Sequence, residues 1–305
     1  MDDDWSYVKT AQALAQTGKI AYNGWGSPML GWQLYIADFF IKIFGFSFTA
    51  VRLSTFLVAV VVAFLLQRTF LRTGINQWNA TVATFVFVLS PIYFPSAVTF
   101  MSDVPGIFCL LLCFYMCLRA LQAQSERAAI AWISLAALLN AVGGTARQTA
   151  WLGLLVMVPS TLWLLRRNQR VVMAGGLSCV AGVGIVFAAS HWFAKQPFSN
   201  PIPMMPSKID LHALRSIGAI GILGTGKLSL LLLPVLLMFV APLRTWSRRR
   251  VAIFLIGSIS LALFAMVLSV TNKLGSFTAP FVGDNLMSLF LGYLNGVLDF
   301  DALLH

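Results

Sequence analysis

Acidic residues are scarce in this chain, ten among 305, and three of them are consecutive: Asp2, Asp3 and Asp4 run into Trp5-Ser6-Tyr7. Another, Asp103, stands in a short gap between two apolar segments, within Phe100-Met101-Ser102-Asp103-Val104-Pro105-Gly106. A positioned carboxylate can take the proton that a hydroxyl must lose as it attacks. Two basic residues, Arg52 and Arg147, lie at the ends of apolar segments. There a guanidinium either clamps a phosphate or reaches up to lipid headgroups. Simpler roles exist for the acids as well. Asp3 or Asp4 suits the N-cap of a helix, and so does Asp103 with Pro105 near the first turn. One acid would serve as a cap, however, and three adjacent acids repel one another. If the path of the chain brings these residues to one face of a membrane, they form a carboxylate and guanidinium site at the level of lipid-carried substrates.

The elements that must position them are membrane helices. The chain is 59% hydrophobic and 10% charged, with mean hydropathy +0.83. Soluble domains carry roughly 25% charged residues, so the composition is that of an integral membrane protein. A spanning helix needs about 20 apolar residues. By that measure the sequence holds about eight candidates, roughly 49–67, 78–96, 104–121, 128–146, 149–165, 171–192, 224–243 and 251–271. The connections alternate in charge. One set carries Arg68 and Arg72, then Arg119 and Arg127, then Arg166, Arg167 and Arg170, then Arg244, Arg248, Arg249 and Arg250, with Glu126 as its one acid. The positive-inside rule makes these loops cytoplasmic. The other acids, Arg147 and both termini then face outside. The net charge of +11 is therefore a topology signal, not a mark of nucleic-acid binding.

The expected fold class is all-α, a polytopic transmembrane bundle forming a single domain. Residues 1–48 form an outside loop with amphipathic surface helices, and 49–192 a core of six spans. Residues 193–223 form a second outside loop, 224–271 two further spans and 272–305 an outside tail. Tyr7, Ala11 and Leu14 share one helical face, so the first helix is expected to lie on the membrane surface and to stop at Gly18. The loop Asn23-Gly24-Trp25-Gly26-Ser27-Pro28 leads to a second surface helix, roughly 29–44. The 193–223 loop is rich in proline and carries Asp210 and His212; loops this long are often functional. Cys109, Cys113 and Cys117 recur every four residues without a histidine or acid beside them. That spacing reads as small residues packing between helices, not as a metal site.

Several of these residues resemble motifs of the GT-C glycosyltransferases, in the branch of protein O-mannosyltransferases, lipid A aminoarabinose transferases and RgtA/B/C/D-like bacterial enzymes. Asp3-Asp4-x-x-Tyr7, followed by Ala11 and Gly18, resembles the acidic first-loop motif, with Asp4 where the family usually has Glu. Phe44-Gly45 with Val51-Arg52-Leu53-Ser54 is similar to the entry into the next span. Phe100-Met101-Ser102-Asp103-Val104-Pro105 is similar to the acidic motif of the second outside loop, and Gly143-Gly144-Thr145-Ala146-Arg147-Gln148 to a later arginine-bearing turn. The resemblance covers about residues 3–170. In the family one span precedes the acidic loop. This sequence begins inside that loop, so the expectation is a chain without its first span or with its start placed too late.

The resemblance implies transfer of a sugar from a polyprenyl-phosphate donor to a hydroxyl of a lipid, glycan or protein acceptor, on the outer face of the plasma (inner) membrane. It implies catalytic roles for Asp3 as base and for Asp4 and Asp103 as its partners. It implies substrate-binding roles for Tyr7, Arg52 and Arg147, the arginines stabilising the departing phosphate. A lipid phosphate is already a good leaving group, so no metal or cofactor is expected. The alternatives are a transporter or lipid flippase, which would carry ionisable groups near the bilayer midplane, and a truncated non-catalytic remnant.

Overall fold

The structure is a computed structural model and describes residues 4–26, 28–90 and 93–199. These belong to the first of the chain's two units, Met1–Ile202. The sequence expectations for Asp2, Asp3, Asp210, His212, the spans 224–243 and 251–271 and the tail 272–305 fall outside the described residues, as does most of the loop 193–223.

Among the described residues all regular structure is helical. Four helices among the described residues are long and apolar enough to cross a membrane: α3 (Phe48–Arg72), α6 (Asp103–Leu121), α7 (Glu126–Gly143) and α9 (Gln169–Ala194). Two more, α1 (Asp4–Thr17) and α2 (Gly31–Phe44), precede them. Short polar side chains start several of these helices. Ser47 accepts from the Ala50 N–H at 3.0 Å to open α3, and Ser125 from the Ala128 N–H at 3.3 Å to open α7. Each removes one of the donors that a helix start leaves unpaired. Gly18 closes α1 with φ +69°, and its N–H reaches the Leu14 carbonyl at 2.8 Å. A residue with a Cβ resists that left-handed conformation.

The helices pack in sequence: α1 on α2, α2 on α3, α3 on α6, α6 on α7 and α7 on α9. The α6–α7 seam is close because Gly143 faces Cys109, where a Cβ on the glycine would lie 2.5 Å from the sulfur. Cys109, Cys113 and Cys117 are buried, as small residues between helices should be.

Three sequence expectations are corrected. The apolar face of α1 does not lie on lipid. Tyr7, Val8, Ala11 and Leu14 are buried against Leu30, Leu34, Ala37 and Ile41 of the α2 region, with Val51 and Phe100. Apolar side chains left exposed here include Trp5 of α1 and Tyr35, Phe39, Ile43 and Phe44 of α2. The expected span 78–96 is interrupted: α4 (Gln77–Val88) has 12 residues, about 18 Å of helix, and the five-residue α5 (Tyr93–Ala97) follows. Pro91, between them in sequence, disfavours helical geometry at the residue before it.

The expected span 149–165 is a composite. A 3₁₀ turn (Gln148–Trp151), a π-turn (Gly153–Met157) and α8 (Val158–Leu164) follow one another. Irregular backbone at membrane depth survives only where protein satisfies it, and here Asn140 of α7 does so. Its Oδ1 accepts from the Leu154 N–H at 2.8 Å, and its Nδ2 donates to the Cys109 carbonyl at 3.3 Å. Gly153 leaves room for it, since a Cβ there would come within 2.5 Å of Nδ2. Asn140→Leu, similar in size, strands the buried Leu154 N–H and removes the second bond to the Cys109 carbonyl. It is expected to destabilise the bundle by about 1–3 kcal/mol, read as a lower melting temperature of the detergent-solubilised chain; an unchanged melt would refute the role.

Candidate functional site

The segment Phe100–Asp103, just before and at the start of α6, is the centre of the site. Asp4, the first residue of α1, is buried and reaches this segment from one side. Its Oδ1 accepts from the Phe100 N–H at 2.6 Å. Its Oδ2 accepts from Arg52 of α3, through Nε at 3.0 Å and also through Nη2. Both carboxylate oxygens are thus engaged, by a backbone donor and a guanidinium fork, and these are strong charge-assisted contacts. Arg52 also lies over the Phe48 ring, 5.6 Å from its centroid.

Arg147 reaches the same segment from the other side, out of the turn that follows α7. Its Nη1 lies 3.0 Å from Asp103 Oδ1 and donates to Ser102 Oγ at 3.0 Å. Asp103 is the first residue of α6, and Ser102 holds the cap position without a side-chain cap bond. The N-cap reading of Asp103 is therefore corrected: its carboxylate pairs with Arg147 instead. Gly106 permits this, because a Cβ there would lie 3.0 Å from the Arg147 Cδ.

The two pairs differ in access. The Asp4 side chain is 3% exposed and that of Asp103 35%. Arg52 and Arg147 are 42% and 39% exposed, so each guanidinium keeps an open side. An arginine has five N–H donors in a fixed fork, and the contacts among the described residues do not use them all.

The turn carrying Arg147 is held by α2. The Gly31 N–H donates to the Thr145 carbonyl at 2.9 Å, and Trp32 Nε1 to the Gly143 carbonyl at 2.9 Å. Gly31 must lack a side chain, because a Cβ would sit 2.1 Å from Thr145 Oγ1. The preceding Leu30 is forced to φ +52°, and its side chain is fully buried. Such strain persists only where the surroundings over-determine it, and it concentrates at functional sites.

Tyr7 stands one turn along α1 from Asp4, on the same face. Its ring is buried against Gly26, where a Cβ would come within 2.6 Å. The loop is clipped to α1 there too: Ser6 Oγ donates to Asn23 Oδ1 at 2.8 Å, and Asn23 Nδ2 to the Ser6 carbonyl at 3.1 Å. Farther along, the Tyr22 hydroxyl donates to the Met29 carbonyl, and burial holds its phenol above the ordinary range. It therefore remains a donor at neutral pH.

Of the residues expected to act, the structure brings Asp4, Arg52, Asp103 and Arg147 together around residues 100–103, while Asp3 lies outside the described residues. It adds Ser102 and the Phe100 N–H, which residue type alone does not mark. It adds an exposed aromatic pair beside Asp4 as well, Trp5 and Trp25, with ring centroids 5.8 Å apart. Among the described residues no three His, Cys, Asp or Glu side chains converge as metal ligands would.

The charges of the spans lie only at their ends. Residues 53–67, 104–118, 128–142 and 171–190 contain no Asp, Glu, Lys or Arg. The pairs described above occupy one end of the bundle, and Arg68, Arg72, Arg119 and the Glu126–Arg170 pair the other.

No curated protein and no solved structure matches the chain. The sequence profile of dolichyl-phosphate-mannose-protein mannosyltransferases does, over residues 27–193, a stretch that includes Arg52, Asp103 and Arg147. Since that match spans more than half of the 305 residues, the chain belongs to the dolichyl-phosphate-mannose-protein mannosyltransferase family, membrane glycosyltransferases of the GT-C type.

Proposed function

We propose that the protein transfers a sugar from a polyprenyl-phosphate donor to an acceptor hydroxyl at the outer surface of the plasma (inner) membrane. The observation that carries this reading is the convergence of two carboxylate–arginine pairs on residues 100–103, at one end of apolar spans. The charge pattern supports the orientation, since the opposite end carries the arginine loops that the positive-inside rule assigns to the cytoplasm. Spans without internal charge favour an interfacial enzyme over a transporter, which needs ionisable groups at midplane.

In the proposed reaction the acceptor oxygen attacks the anomeric carbon. The bond from that carbon to the phosphate oxygen breaks, and the polyprenyl phosphate leaves with the bonding electron pair. Asp3 takes the hydroxyl proton. Asp4, locked between Arg52 and the Phe100 N–H, anchors the start of α1. The more open Asp103 orients the acceptor. Arg147 and the free side of Arg52 face the charge growing on the phosphate, where fixed donors stabilise the transition state most. Tyr7 is buried on the same face of α1 as Asp4 and packs the helix that carries this anchor. The domain reading follows: residues 1–48 supply the catalytic loop and the spans its frame.

The test is transfer of label from a panel of polyprenyl-phosphate sugars, mannose first, by the full chain in proteoliposomes with lipid, glycan and peptide acceptors. Asp103→Asn and Arg147→Gln are each expected to lower turnover by roughly 10- to 100-fold. Full activity in both variants, or no transfer from any donor by the wild type, would overturn the reading.

A further inference from the structure

At the far end of the bundle, α3 and α6 open into a cavity of about 530 Å³ lined by Arg68, Leu71, Arg72, Tyr115 and Arg119. Arg68 and Arg72 are four residues apart on α3, and Tyr115 and Arg119 four apart on α6, so each pair shares a helix face. Arg119 is held in place: its guanidinium lies 4.6 Å from the centroid of the Trp132 ring and donates to the Tyr115 hydroxyl at 3.4 Å. Gln122 Nε2 donates to the Arg72 carbonyl at 2.9 Å, which ties the two helix ends together. Among the described residues no carboxylate pairs with these three arginines; the nearby acid Glu126 is paired to Arg170. Three like charges facing one cavity repel until an anion enters. The positive-inside rule accounts for arginines in a loop, but it gives no reason for three of them to converge on one cavity.

The position indicates which anion. Arg52 and Arg72 are separated by twenty positions of one helix, about 30 Å at 1.5 Å per residue, which matches the hydrocarbon thickness of a bilayer. The cavity therefore lies at the opposite headgroup layer from residues 100–103. Basic pockets between spans at that level take anionic lipid headgroups. We propose that this cleft binds the phosphate of an anionic membrane lipid, with Arg68, Arg72 and Arg119 as its donors, Tyr115 as a further hydrogen-bond partner and Leu71 against the glycerol or upper acyl carbons. The site is separate from the transferase reading and does not depend on it.

The test is native mass spectrometry of the purified full chain with phosphatidylglycerol and phosphatidylcholine, which reads bound lipid independently of turnover. The wild type is expected to retain phosphatidylglycerol over phosphatidylcholine by ~10-fold, and Arg72→Gln with Arg119→Gln to lose that preference. Arg166→Gln with Arg167→Gln removes the same charge outside the cleft and is expected to keep it. If the control pair loses the preference equally, or the cleft pair keeps it, the site does not exist. Competition with inorganic phosphate separates the sources: displacement of the lipid at millimolar phosphate would show a site for free phosphate and overturn the lipid assignment. Should the cleft pair fail to fold, melting of the wild type in mixed micelles decides. Phosphatidylglycerol raises the melting temperature above that in phosphatidylcholine if the proposal holds, and leaves it unchanged if not.

Discussion

Asp3→Asn is expected to lower the turnover of sugar transfer by roughly 10²- to 10⁴-fold, the range that a positioned general base contributes. Asparagine keeps the shape and the acceptor oxygen but cannot take a proton. The loss should therefore fall on kcat, with the KM for the lipid-phosphate donor changed far less. Asp3→Glu, which restores the group on a longer arm, should recover part of the activity. Wild-type turnover in Asp3→Asn would remove Asp3 from the mechanism. If Asp103→Asn lost far more kcat than Asp3→Asn instead, the more accessible of the two observed carboxylates would be the base.

The second large effect is structural. Arg52→Ala is expected to destabilise the protein by about 2–4 kcal/mol, the cost of leaving a buried carboxylate without its charged partner. Asp4 would retain the neutral Phe100 N–H and, among the described residues, no charged partner. Asp4→Asn should cost less, because the stranded Arg52 is 42% exposed and can turn to water or a headgroup phosphate. This asymmetry is the discriminating observation. A melt of the two single variants and the double variant closes a thermodynamic cycle. Equal costs for the two single changes, or no coupling between them, would show that the pair does not hold α1 in place. Activity should fall with Arg52→Ala as well, since the same contact sets where the acidic start of α1 stands.

Much of this protein is decided locally. Helix starts at Ser47 and Ser125, the stop at Gly18 and the apolar runs of α3, α6, α7 and α9 follow from propensity, capping and hydropathy over a few turns. The separation of acids from arginine loops is likewise written in residue order and places the charged groups at two opposite ends. Periodicity correctly marks the face of α1 that is covered, but it cannot say by what; apolar stripes suit lipid and protein alike. Only the packing shows α2 and Phe100 as the cover. Nor does the sequence reveal that the segment 148–164 spends its irregular turns against Asn140, because that compensation comes from another helix. The pairing at the site is the clearest case. Asp4 meets Arg52 from 48 residues away and Phe100 from 96, and Arg147 reaches back to Asp103 across the whole of α6 and α7. Residue types alone make both acids equal candidates for chemistry. Tertiary contacts make one a buried anchor with both oxygens engaged and leave the other partly open, because burial and hydrogen-bond satisfaction depend on which distant segments the fold brings together.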